Sequence, residues 1–164
     1  MNTNISENLI KILNYRIVQE EFSSRLYKAM AIWLDFKGFG GAAKLWNTYS
    51  EEELKHANWA YEYLLDMDIR PDVPALDKPD NEFAGLVDIV TRSYEHEQKV
   101  TSQCQALAAS AFKDGDYMAL ELAQKYLKEQ QEELAKTNYW INRLEVFGNS
   151  KESLFLLDNE MGEV

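Results

Sequence analysis

Apolar residues recur along most of the chain at intervals of three and four, the spacing of amphipathic α-helices. The residues that break helices are concentrated in a few places, and all three prolines lie between residues 68 and 82. The pattern predicts an all-α chain forming one domain, residues 1–164. Its helices are predicted over about residues 5–37, 42–67, 82–113, 116–147 and 151–160.

The connections between these helices predict how they pack. Gly38, Gly40 and Gly41 are expected to form the first turn, and residues 114–116 a second tight turn, so each flanking pair should be an antiparallel hairpin. The second helix spans roughly 39 Å, and an extended proline-rich linker reaches up to roughly 50 Å. The linker can therefore cross the whole bundle and leave helices two and three parallel. The alternative, a flexible loop between two separate hairpins, would leave their apolar stripes uncovered.

Polar side chains interrupt the inward stripe of each long helix near its middle. These residues are Glu20 in the first helix, Glu53 and His56 in the second, Glu97 in the third, and Gln130 and Glu133 in the fourth. Helices of similar length packed side by side bring their midpoints to one level. The six side chains should therefore converge inside the bundle.

Four carboxylates at one point in a dry interior need positive charge, because an unpaired buried carboxylate is strongly unfavourable. The central parts of the stripes contain no Lys or Arg, so two metal ions are predicted instead. Oxygen-rich ligands with one nitrogen suit iron or manganese, although zinc could compete. A lone Glu is usually a solvated charge and a lone His a core residue. Because four helices each place a Glu or His at the same level of the bundle, a metal site is favoured over these two alternatives.

Four stretches of the chain resemble the non-haem bacterial ferritins and, more distantly, the heavy subunit of animal ferritins. They are residues 19–27, 51–56, 94–98 and 129–133. The resemblance implies a ferritin-like four-helix bundle with a long crossover and a short fifth helix. It also implies a homo-oligomeric shell of 24 subunits, in which ferroxidase centres oxidise Fe²⁺ with O₂ or H₂O₂ and deliver a ferric mineral to the cavity.

The same resemblance implies roles for individual residues. Glu20, Glu53 and His56 match the ligands of a first iron, and Glu53 would bridge to a second iron completed by Glu97 and Glu133. Gln130 matches an amide beside the centre. Tyr27 matches a tyrosine that can hydrogen-bond a ligand and supply an electron. A third iron position is matched by Glu52, Glu129 and Glu132 with Glu133 shared, the alternative being a solvated patch of charge.

Some positions depart from related families. Leu54 stands where bacterioferritins have a methionine that ligates haem, so haem is not expected. Gln130 and Glu133 replace the second Glu-x-x-His of other di-iron bundles. A tryptophan found near the centre in bacterial relatives corresponds to Lys125 here. Cys104 is assigned to core packing, and His96 is expected to be a solvated neighbour of the site.

Composition excludes several other classes of function. The net charge of −11 argues against nucleic acid, and no apolar run is long enough for a membrane span. The single cysteine and the absence of a signal-like start favour the cytoplasm. Two alternatives to a storage ferritin remain. A di-iron oxidase or peroxidase without a cage should lack the fifth helix and have a second histidine ligand, and a non-catalytic shell subunit should have a broken centre.

Overall fold

The computed structural model describes residues 5–164, and all regular structure in that range is α-helical. The predicted all-α fold, with four long helices, a long crossover and a short fifth helix, is confirmed. The helices are α1 (Glu7–Phe36), α2 (Gly40–Asp66), α3 (Leu86–Asp114), α4 (Tyr117–Phe147) and α5 (Lys151–Gly162). None of these helices is apolar enough over the required length to cross a bilayer.

Two apolar clusters divide the bundle core into two ends. One cluster combines the second half of α1 with the first parts of α2 and α3, and it includes Leu34, Trp46 and Ile89. The other combines the beginning of α1 with the last parts of α2 and α3, including Leu64 and Leu107. Because the starts of α2 and α3 lie at one end and their last turns at the other, these two helices are parallel. The crossover therefore traverses the length of the bundle.

The end of the crossover explains why α3 begins at Leu86, four residues later than predicted. Phe83 is buried in the first cluster, where its ring packs edge-on to Trp33 at 6.1 Å between centroids. Asp88, in the first turn of α3, accepts a hydrogen bond from the Ala84 backbone N–H at 2.9 Å. These contacts hold residues 83–85 outside the helix. The apolar pattern continued through Phe83, but this residue packs into the core from outside the helix.

The predicted turn between α1 and α2 is shorter than expected, because Gly40 and Gly41 belong to α2. Only Gly38 of the three has the left-handed backbone, with φ of 90°. Gly41 has a packing role: a Cβ there would lie 1.9 Å from the carbonyl oxygen of Asp158 in α5. Helix α5 can therefore lie directly on the start of α2. The first turn of α5 is capped by Ser150, whose side chain accepts a hydrogen bond from the Ser153 N–H.

Candidate metal centre

A layer of polar side chains separates the two apolar clusters at the middle of the bundle. Six of the predicted site residues lie in this layer with at most 4 % of their surface exposed. They are Glu20, Glu53, His56, Glu97, Gln130 and Glu133. Each comes from the middle of its helix, as the sequence predicted, because helices of similar length pack with their ends level.

Ligand atoms of these residues approach closely enough to share metal ions. Within residues 5–164, three groups of possible ligands have all their donor atoms within 4.8 Å of one another. The groups are Glu20 with Glu53 and His56, Glu53 with Glu97 and Glu133, and His56 with Glu129 and Glu133. The first two share Glu53 and together use five protein ligands. This arrangement fits two ions bridged by the Glu53 carboxylate.

His56 and Glu53 interact directly on one face of α2. The His56 Nδ1 lies 3.1 Å from Glu53 Oε2. Burial alone would lower the pKa of His56, but its interactions with Glu20 and Glu53 raise this pKa to about 11. Burial raises the pKa of Glu53 well above its ordinary value, and the charges of Glu20 and Glu97 add to the rise. The carboxylates therefore favour a bound cation at this position.

Glu97 is held by hydrogen bonds from two other predicted site residues. The Tyr27 hydroxyl donates to Glu97 Oε1. The Gln130 amide donates to Glu97 Oε2 at 2.9 Å, and also lies within hydrogen-bond distance of Thr101. Burial still raises the pKa of Glu97, although both hydrogen bonds lower it. Tyr27 and Gln130 thus fix the orientation of the Glu97 carboxylate. A nearby positive charge would further stabilise its ionised form, because its pKa is still raised.

The expectation that no basic residue reaches the centre is wrong. Arg16 is 2 % exposed, and its Nε lies 2.9 Å from Oε1 of Glu20. Burial would raise the pKa of Glu20, but His56 and Arg16 outweigh burial and lower it. Arg16 precedes Glu20 by four residues on α1, so helical spacing made this contact a candidate, and contacts between the helices decide that the arginine turns inward.

A second basic residue, Lys136, lies at the side of the centre. Its ammonium is 2.8 Å from Glu133 Oε1 and 2.9 Å from Glu52 Oε2. Burial nevertheless raises the pKa of Glu133 to about 7, against the lowering effect of Lys136. Arg16 and Lys136 therefore supply part of the positive charge that the sequence assigned entirely to metal ions. The pKa values of Glu53, Glu97 and Glu133 stay raised beside these two residues, chiefly because the carboxyl groups are buried.

The three outer carboxylates predicted to hold a third ion do not come together. Glu52 is half-buried and paired with Lys136. Glu129 lies on the opposite side of His56, with its Oε1 3.2 Å from His56 Nε2. Glu132 is exposed and joins none of the ligand groups formed within residues 5–164.

Aromatic residues that the sequence did not single out surround His56. The Trp59 ring lies 4.8 Å from the His56 ring and 5.2 Å from the Tyr126 ring, between centroids. The Lys125 ammonium lies 4.1 Å from the centroid of the Trp59 ring. The indole near the centre thus comes from α2. Trp59 follows His56 by three residues, and this spacing could have indicated it.

His96 is not the solvated neighbour that the sequence predicted. Its Nε2 lies 2.7 Å from the Ser23 hydroxyl, and its ring packs against Tyr27. Burial lowers the pKa of His96 to about 4, so it is neutral at pH 7. Cys104 is fully buried in the second cluster, in agreement with its assignment to core packing. Leu54 is 49 % exposed on the outer face of α2.

The fold agrees with comparisons to known proteins. A family model described as Ferritin-like domain matches residues 10–147, and the chain belongs to this family. A probable bacterial non-heme ferritin-like protein of Haemophilus influenzae is 32% identical over 98% of this chain and 97% of its own length. A bacterial non-heme ferritin of Escherichia coli O6:H1 is 31% identical, covering 96% of this chain and 95% of its own.

Solved structures show the same likeness. An open pore ferritin from the hyperthermophilic archaeon Archaeoglobus fulgidus superposes with a TM-score of 0.94 and is 30% identical. The superposition covers 97% of this chain and 98% of that one.

Proposed function

We propose that this chain is an iron-storage ferritin subunit that oxidises Fe²⁺ at its mid-bundle centre. The observation that carries the proposal is the pair of ligand groups sharing Glu53. One group adds Glu20 and His56, and the other adds Glu97 and Glu133. Each group offers three protein ligands to a ferrous ion and leaves coordination positions for the oxidant.

Two adjacent ferrous ions can deliver two electrons to one oxidant. Two Fe²⁺ and two protons reduce one O₂ to H₂O₂, or one H₂O₂ to two water molecules, and two Fe³⁺ are formed in either case. Hard carboxylate oxygens favour the ferric state and so set the direction of the reaction. One histidine among carboxylates holds the iron weakly enough for the ferric product to leave as cargo.

Residues around the ligands have separate roles in this proposal. Tyr27 and Gln130 hold Glu97 by hydrogen bonds to opposite carboxylate oxygens, so this ligand is oriented before iron arrives. Arg16 holds Glu20 by charge, through an ionic contact of 2.9 Å between Nε and Oε1. The Tyr27 hydroxyl also lies against a metal ligand, where it can donate a proton or an electron to a bound oxidant.

Storage requires a hollow shell, and we propose that 24 copies of the chain build it in the cytoplasm. The support is the likeness to ferritins over nearly the whole chain, including the fifth helix. A di-iron oxidase without a cage fits less well, because α5 is present and the centre has only one histidine. A non-catalytic subunit fits less well because all five ligand positions are intact.

The test compares Glu53→Ala with Glu62→Ala, which removes an exposed carboxylate from the same helix. Purified protein mixed with Fe²⁺ in air should develop ferric absorbance, and Glu53→Ala should slow this by tenfold or more. The size follows because even outer partners of metal ligands cost about 10–100-fold when removed. Glu62→Ala should match the unaltered protein, and far-UV circular dichroism checks that both variants fold. An unchanged rate of ferric absorbance in Glu53→Ala would show that Fe²⁺ is not oxidised at the assigned centre.

A particle-mass measurement tests the shell separately. A mass of about two dozen chains supports storage, whereas a monomer or dimer with intact ferroxidase activity would favour the oxidase without a cage.

A further inference from the structure

The ammonium group of Lys136 is fixed from three sides beside the two-ion centre. It lies 2.8 Å from Glu133 Oε1 and 2.9 Å from Glu52 Oε2. It also lies 4.9 Å from the centroid of the Tyr49 ring, whose hydroxyl accepts from Trp140 Nε1 at 3.2 Å. Lysine side chains are flexible, and this one is 34% exposed. Its charged end is nevertheless held by two carboxylates and an aromatic face.

These contacts use two of the four carboxylates that the resemblance assigned to a third iron. These two, Glu52 and Glu133, bind the lysine instead. Of the other two, Glu129 lies 3.2 Å from His56, and Glu132 is exposed. The carboxylates of a third site are therefore present in the sequence but are divided among other partners in the structure.

The ligand group formed by His56, Glu129 and Glu133 does not provide an independent third site. His56 already belongs to the first group of the two-ion centre and Glu133 to the second. Once both are used there, Glu129 is the only ligand left.

We propose that the Lys136 ammonium replaces a third metal ion and limits this centre to two ions. The inference rests on the proposed two-ion centre. An ammonium and a divalent cation would compete for the same oxygens of Glu52 and Glu133, and their like charges repel at such short range. Because the lysine is covalently attached, its charge is present whether or not iron is bound. The lysine stabilises the ionised form of Glu133 as a ligand. Because the centre then holds two ferrous ions, two electrons are available to each oxidant molecule.

The test counts and locates metal ions with Zn²⁺, which does not change oxidation state. Assembled protein freed of metal with a chelator is titrated with Zn²⁺ by calorimetry, and crystals soaked in Zn²⁺ are measured at the zinc absorption edge. The unaltered protein should bind two ions per chain in the layer of Glu20, Glu53, His56, Glu97 and Glu133. Lys136→Gln should bind three, with the additional ion between Glu52 and Glu133.

Three further variants serve as controls. Lys136→Arg keeps the positive charge and should stay at two ions. Lys128→Gln removes an exposed charge from the same helix and should also stay at two. Adding Glu52→Gln to Lys136→Gln should return the count from three to two, because the new site loses a ligand.

The outcomes separate this inference from the proposed function. A third ion between Glu52 and Glu133 in the unaltered protein would overturn the role of Lys136 and leave the two-ion centre standing. A count of two in Lys136→Gln would overturn it as well. An unaltered protein with no zinc in the central layer would instead overturn the proposed function, and this inference with it.

Discussion

The buried Arg16–Glu20 pair makes it possible to test whether bound metal compensates the buried carboxylates. The quantity measured is the free energy of unfolding with and without metal. Their side chains are 2% and 0% exposed, and Nε lies 2.9 Å from Oε1. Replacing Arg16 by methionine keeps most of the volume but removes one of the two positive partners of the Glu20 carboxylate, the other being His56. Removing one member of a buried ion pair costs about 3–5 kcal/mol. We expect the metal-free Arg16→Met protein to lose that much free energy of unfolding.

Bound metal should reduce this loss, because an ion held by Glu20, Glu53 and His56 supplies positive charge to the same carboxylate. The remaining cost is that of exchanging one side chain for another of similar volume, which is usually below about 1.5 kcal/mol. The zinc-saturated Arg16→Met protein should therefore lose less than about 1.5 kcal/mol. The double variant Arg16→Met/Glu20→Met removes both charges, and its metal-free form should be nearly as stable as the unaltered protein.

The assay is guanidinium unfolding followed by tryptophan fluorescence, in chelator and in saturating Zn²⁺. All samples need the same protein concentration, since assembly also contributes to apparent stability. Equal losses with and without zinc would refute the reasoning, because they would show that the metal and Arg16 do not compensate the same charge. A metal-free double variant as unstable as Arg16→Met would refute it too.

Two further predictions concern α5 and haem. Gly41→Ala places a Cβ 1.9 Å from the Asp158 carbonyl oxygen, so α5 should detach. Limited proteolysis should then cut the chain before residue 151, while the helix content of the protein falls only slightly. Gly40→Ala, with open space around its Cβ, is the matched control, and equal protease resistance in both would contradict the contact. Protein incubated with hemin should show no bound Soret band, because Leu54 offers no sulfur ligand, and a stable Soret band after gel filtration would disprove this.

The sequence predicted the helices and the level of the polar layer because both depend on spacing within one helix. Glu53 and His56 face the same way because they are three residues apart, and Glu97 meets them because the helices have similar lengths. The start of α3 was missed because Phe83 continues the apolar pattern while its backbone lies outside the helix. Only the folded chain shows that this residue docks on Trp33 from outside the helix.

The electrostatics of the centre were harder to predict than its ligands. Arg16 and Lys136 each lie one helical turn from a ligand, but whether their long side chains turn inward depends on contacts between helices. Lys136 in α4 reaches Glu52 in α2. Lys125, also in α4, likewise places its ammonium over the ring of Trp59 in α2. His96 was predicted to be solvated, and only the folded chain shows its hydrogen bond to Ser23.

The close approach of α5 to Gly41 has a consequence for how such proteins diversify. Helix α5 contacts the end of the bundle through Leu157, Met161 and Glu160, well away from the layer of buried carboxylates. The outer surface of this helix can therefore change without touching the six side chains of that layer. Under the proposed function, chains with different α5 surfaces would keep the same iron centre.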